Sequence, residues 1–203
     1  MNKDNLILKI TTNGLLLALG WLLPMFTGQI QLFGNMLCPM HIPVMIGGIL
    51  LGWQSGLFLG IVIPLTRSLM FGMPVMYPNA VGMAFELATY GVVTGVAFRL
   101  LRKTKLHIIL QVVLALLPAM IIGRGVWGLT RWIFTLISTD LKFSFKMFLT
   151  GAFVTAWPGI IVQFALIPYL VFVLSKTNTG KRFLEEKKIV PEEESIVDND
   201  EEK

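Results

Sequence analysis

The chain has 203 residues, a mean hydropathy of +0.73, 55% hydrophobic residues and only 14% charged ones. A soluble domain of this length would need a polar surface that this composition cannot supply, so an all-α membrane protein is expected. The charge is also split: residues 185–203 hold nine of the twelve acids, leaving fourteen bases against three acids in residues 1–184. In so oily a chain that excess reports membrane topology rather than nucleic acid.

A spanning helix needs about 20 mostly apolar residues. The opening "MNKDNLILKITTNGLLLALGWLLP" imitates a signal peptide, but no small-residue cleavage site follows, and a retained first helix over Leu6–Phe26 is the expectation. Met36–Leu51 is a short second helix interrupted by Pro39 and Pro43, and Ser55–Phe71 a third with Pro64 inside it. Asn79–Leu101 is the fourth, Leu106–Ile137 the fifth with Pro118 as a kink point, and Phe145–Leu174 the sixth, bent at Pro158 and Pro168. The sequence thus divides into a six-helix membrane domain, 1–184, and an acidic, disordered tail, 185–203. Cys38 is the single cysteine, so no intrachain disulfide is possible.

Six spans put both termini on one side. Lys3 and Lys9 precede the first helix core, Arg99, Arg102, Lys103 and Lys105 lie between the fourth and fifth, and Lys176, Lys181 and Arg182 follow the sixth. The opposite side offers Lys142 and Lys146 beside Asp140. Both termini are therefore expected to be cytoplasmic. Glycines recur at helix-packing spacing, Gly48, Gly52, Gly56 and Gly60, then Gly91 and Gly95, as close backbone contact between helices requires. Gly14 and Ala18 form a similar pair that could face a partner subunit.

The stretch "IPLTRSLMFGMPVMYPNAVGMAFELATYG" holds Arg67 and Glu86, charges that cost roughly 2.5–3.5 kcal/mol each near a bilayer centre. With the termini inside, Arg67 lies about 18 Å along the outward-running third helix and Glu86 about 10 Å below the outer end of the fourth. Arg124, Trp127 and Arg131 share one face of the fifth helix in its outer part. The outer half thus gathers three arginines against one glutamate. Either Arg67 pairs with Glu86 while Arg124 and Arg131 snorkel to headgroups, or the surplus arginines await an anionic group such as a carboxylate. Short, proline-interrupted segments beside the uncharged loops "GMPVMYPN" and "TGQIQLFGNMLCPMH" point to a binding site, where Tyr77, Asn79 and His41 could offer hydrogen bonds. Trp157 and Gln163 on the last helix are weaker candidates.

Other motifs carry nothing. "GRGVWG" matches a dinucleotide fingerprint without the strand and βαβ unit it needs, and "CPMH" supplies only two metal ligands where three or four are usual. The chain has no phosphate-binding G-x-x-x-x-G-K-[ST] loop and a single intramembrane carboxylate, so no enzyme activity, metal or cofactor is expected.

Residues 37–95, with "MHIPV", the glycine-spaced hairpin and "AFELATYG", resemble the substrate-binding S components of energy-coupling factor (ECF) vitamin transporters, and the six-helix layout extends the likeness over roughly residues 1–175. The resemblance implies a subunit that binds a vitamin or precursor near the extracellular face. It then docks on a transmembrane T component driven by two ABC ATPases, toppling in the membrane to release its solute inward. It also implies an alanine-x-x-x-alanine face on the first helix, from which Gly14 and Ala18 depart, and a pocket at the outer ends of helices four to six. Arg67, Tyr77, Asn79, Glu86, Arg124, Arg131, His41 and Trp127 are the candidate substrate-binding residues. On charge, pantothenate fits; riboflavin or a pyridoxine form stays open. The alternative is a stand-alone secondary transporter or channel.

Overall fold

A computed structural model describes residues 3–27, 37–138 and 144–185, in which the apolar runs fold as helices. Lipid offers backbone groups no hydrogen bonds, and a helix satisfies its own. In chain order these are α1 (Lys3–Thr27), α2 (His41–Leu51), α3 (Trp53–Phe71), α4 (Val81–Leu101), α5 (Ile108–Ile137), α6 (Phe145–Leu149), α7 (Trp157–Lys176) and α8 (Asn178–Glu185). No strand occurs among the described residues. Among the described residues five stretches are long and apolar enough to cross a membrane, and α2 is a shorter apolar sixth. The protein is an all-α, multi-pass membrane bundle, as the sequence predicts.

Boundaries shift where prolines sit. The second helix starts at His41 rather than Met36, because Cys38 adopts a left-handed φ of 45° and its carbonyl accepts the His41 N–H at 3.1 Å, turning the chain. A π-turn, Met76–Ala80, leads into α4, with Tyr77 extended ahead of Pro78. The sixth span is divided: after α6 and a π-turn at Thr150–Val154 the helix restarts at Trp157, where Pro158 has no N–H to give. Beyond Leu174, where that span was expected to end, the helix runs on to Lys176, and α8 folds back to bury Phe183 and Leu184 in the core. The acidic tail, apart from Glu185 at the end of α8, lies outside the described residues, as do Asp140 and Lys142.

At the centre α2, α3 and α4 pack backbone to backbone. A methyl group on Gly56 would lie 2.5 Å from the Gly91 carbonyl oxygen, one on Gly48 2.4 Å from that same oxygen, and one on Gly60 2.4 Å from the Ala88 nitrogen. The expected glycine spacing is therefore intramolecular packing. Gly52 serves differently: at φ 101° it makes the tight turn between α2 and α3. All eleven residues of α2 are buried, although at about 16 Å it is too short to cross a bilayer alone. Its N-terminus stops part-way, beneath a hollow.

Helix α1 is held differently. Only 11% of its apolar window is buried, against 56% for the span containing α4. Two polar clasps tie it to α3: Asn13 Nδ2 donates to Ser55 Oγ at 3.2 Å, and Trp21 Nε1 to Thr66 Oγ1 at 2.9 Å.

Candidate functional site

The hollow at one end of the bundle has a volume of about 430 Å³ and is open on one side. Six segments reach it by their ends: Pro24 of α1, His41 of α2 with the preceding Cys38–Met40, Arg67 of α3, Met83 and Glu86 of α4, Arg124, Trp127 and Arg131 of α5, and Thr155 and Ala156 before α7. Met73, Pro74 and Asn79 come from the α3–α4 connection. The basic loop Arg99–Lys105, with Lys176 and Lys181, lies at the other end of the same helices.

At its floor is a buried polar cluster. Glu86 and Tyr90, four residues apart, share a face of α4, and the Tyr90 hydroxyl donates to Glu86 Oε1 at 3.2 Å. Arg124 Nη1 donates to the same oxygen at 3.1 Å, a pair in which neither side chain is more than a tenth exposed. His41 Nε2 stands 3.6 Å from that oxygen, and the ring meets Tyr90 edge-on at 4.9 Å. The other ring nitrogen, Nδ1, lies 3.0 Å from the Cys38 carbonyl oxygen and donates to it when it carries the hydrogen. Gly123 makes room for the Tyr90 ring, since a methyl group there would fall 2.6 Å from it. Two buried polar atoms on this floor, His41 Nε2 and Arg124 Nε, have no hydrogen-bond partner among the described residues.

The other two arginines are held by neutral groups. Arg67 Nη1 donates to the Trp21 carbonyl at 2.7 Å, and its guanidinium lies 5.4 Å from the Phe71 ring. Arg131 Nη2 donates to Asn79 Oδ1 at 2.6 Å, with its guanidinium 5.9 Å from the Trp127 ring. Trp127 in turn stacks on Phe148 at 6.2 Å.

Seven of the eight candidate residues, Arg67, Glu86, Arg124, Arg131, Asn79, His41 and Trp127, thus surround one cavity. Tyr77 does not: it is 45% exposed and its ring packs on Phe134 at 5.0 Å. Pairing of Arg67 with Glu86 does not occur either. Glu86 turns toward α5, and Arg67 reaches α1 instead. Arg124 does not snorkel, since it is buried on Glu86. Trp157 is 56% exposed, whereas Gln163 is almost wholly buried, and neither lines the cavity. Tyr90 was missed, although its i,i+4 spacing from Glu86 was the available signal. Among the described residues no group of three metal-ligating side chains occurs, and "GRGVWG" lies inside α5.

The sequence profile of the ECF transporter substrate-specific component matches residues 8–171. The chain belongs to this family. No curated protein and no solved structure is significantly similar to it. As an S component it is a substrate-binding membrane subunit of an ECF transporter, associated with a T component and ABC ATPases, and its place is the plasma membrane.

Gly14 and Ala18 lie on α1, away from the cavity. Nothing stands within 4 Å of a methyl group built on Gly14, which borders a shallow groove with Ile10, Asn13, Leu17 and Phe58.

Proposed function

We propose that this S component captures a vitamin or vitamin precursor in the arginine-lined cavity at the extracellular face and delivers it inward with a T component and two ABC ATPases. The observation that carries this reading is the cavity itself, a hollow of small-molecule size in which the buried charges Arg67, Glu86 and Arg124 and the half-buried Arg131 stand among largely uncharged lining residues. The rule that lysines and arginines collect in cytoplasmic loops supports its outward opening, because the basic segments sit at the end of the bundle away from it. Both termini are then cytoplasmic. An anionic solute suits the sign of the arginine surplus, and pantothenate is one candidate on that ground alone. Gly14 and Ala18, on the least buried of the membrane-spanning helices, are the proposed contact face for the T component.

Binding of a vitamin panel to purified protein, with mass spectrometry of the solute that co-purifies, tests the reading. Arg124→Ala and Arg67→Ala are expected to abolish uptake in cells carrying the complete transporter. Absence of any bound solute, with uptake unchanged in both variants, would sink it.

A further inference from the structure

Of the three guanidiniums around the cavity, Arg124 is balanced by Glu86. Arg67 and Arg131 make their hydrogen bonds to a backbone carbonyl and a side-chain amide, neither of which carries charge. At the cavity floor Arg124 pairs with Glu86, and His41 stands near the same carboxylate oxygen. The sequence offers little else to neutralise Arg67 and Arg131. Residues 1–184 contain three acids, Asp4, Glu86 and Asp140. Asp4 stands in the first turn of α1, about 30 Å of helix from Pro24 at the cavity. The connection 138–144 holds Asp140 and Lys142 and so has no net charge in sequence, and the nine acids of residues 185–203 come after α7 in the chain. The connection 28–36, "GQIQLFGNM", has no charge to contribute.

A lone cation in a low-dielectric wall is costly until a counter-charge arrives. Two such cations face this cavity, the N-terminus of α2 adds the positive end of a helix dipole, and Arg124 Nε is a buried donor without a partner. Resting on the proposed role of the cavity as the solute site, we infer that its solute is doubly negative: a phosphate monoester or a dicarboxylate. Either brings the oxygens that guanidinium forks meet with paired hydrogen bonds, and either leaves the filled site electrically neutral. A singly charged acid such as pantothenate leaves one arginine uncompensated.

The experiment uses full-length protein in phosphatidylcholine nanodiscs and matched probes: riboflavin and its 5′-phosphate, pyridoxine and its 5′-phosphate, and glutarate with its monomethyl ester. The doubly charged member of each bound pair is expected to bind roughly tenfold or more tighter than its partner. Arg67→Gln and Arg131→Gln, which keep a donor for Trp21 and Asn79, should each erase most of that preference, the doubly charged probe losing far more affinity than its partner, with no loss of thermal stability. Equal affinity within pairs, or a neutral or singly charged co-purifying solute, overturns the charge assignment and leaves the binding-subunit reading standing. No binding in any arm and no co-purifying solute overturns both. Loss of the preference when phosphatidylglycerol replaces phosphatidylcholine identifies an anionic headgroup as the counter-ion and also overturns it, as does a preference that emerges only in Asp140→Asn, which makes Asp140 the missing counter-charge.

Discussion

At the level of Gly56 and Gly91, α3 and α4 touch through bare backbone; about three turns further along α3, and a turn and a half toward the start of α4, Arg67 and Glu86 stand on opposite sides of a cavity and do not meet. The same two helices therefore do two jobs. Where side chains are absent, the crossing fixes how each helix is rotated. Where side chains are long and charged, that rotation decides which charge meets which. The cluster at Glu86 can stay fixed around an empty space because the glycine contact below it leaves the helices no freedom to turn.

The comparison breaks most severely if the charged half loses its balance. Glu86→Ala leaves Arg124 buried without its counter-charge and should cost about 3–5 kcal/mol, read as loss of folded protein in thermal melts in detergent. Replacing both partners, Glu86→Leu with Arg124→Met, should recover most of that stability while abolishing solute binding. If the single and double variants are equally stable, the pair is not electrostatically coupled and Glu86 is tolerated for some other reason.

The glycine half is tested by adding one carbon. Gly91→Ala places a methyl group 2.4 Å from the Gly56 carbonyl, and backbone cannot retreat as a flexible side chain can. A loss of about 1–3 kcal/mol is expected, together with weaker solute binding, because α4 must move and carry Glu86 with it. Full stability with unchanged affinity would mean that the crossing does not position the cavity.

This division also marks how far the sequence could be read. Helices follow from hydropathy alone, and the shared face of Arg124, Trp127 and Arg131 follows from spacing within one helix. Contacts across helices do not. The sequence offers Arg67 as the partner of Glu86, with Arg124 snorkelling to headgroups, and the rotation fixed at Gly56 and Gly91 instead turns Glu86 toward α5. Tyr77 misled for a related reason: it lies in a polar-looking connection, yet the extended backbone ahead of Pro78 delivers its ring to Phe134. The short α2 hid its role as well, since a helix that stops at mid-membrane looks in sequence like an interrupted span.

A smaller effect sharpens the picture inside the cluster. Tyr90→Phe removes one hydrogen bond to Glu86 Oε1 and leaves the ring in the space that Gly123 provides. It should cost about 1 kcal/mol in stability, measurable as a small drop in melting temperature. If the hydroxyl positions the carboxylate for Arg124, solute affinity falls as well; if affinity is unchanged, Tyr90 fills space only.

The smallest effect on the isolated protein is expected at Gly14. It sits in the interior of α1, exposed, with nothing near enough to clash, so Gly14→Ala should stabilise the helix by up to about 1 kcal/mol. The larger Gly14→Leu should likewise leave melting temperature and solute binding intact, in contrast to any enlargement at Gly91. If this face of α1 meets the T component, however, Gly14→Leu holds the two backbones apart, and uptake by the assembled transporter drops while the purified subunit still binds its solute. Unchanged uptake would place the docking surface elsewhere on the bundle and leave the light packing of α1 as a property of its lipid contact alone.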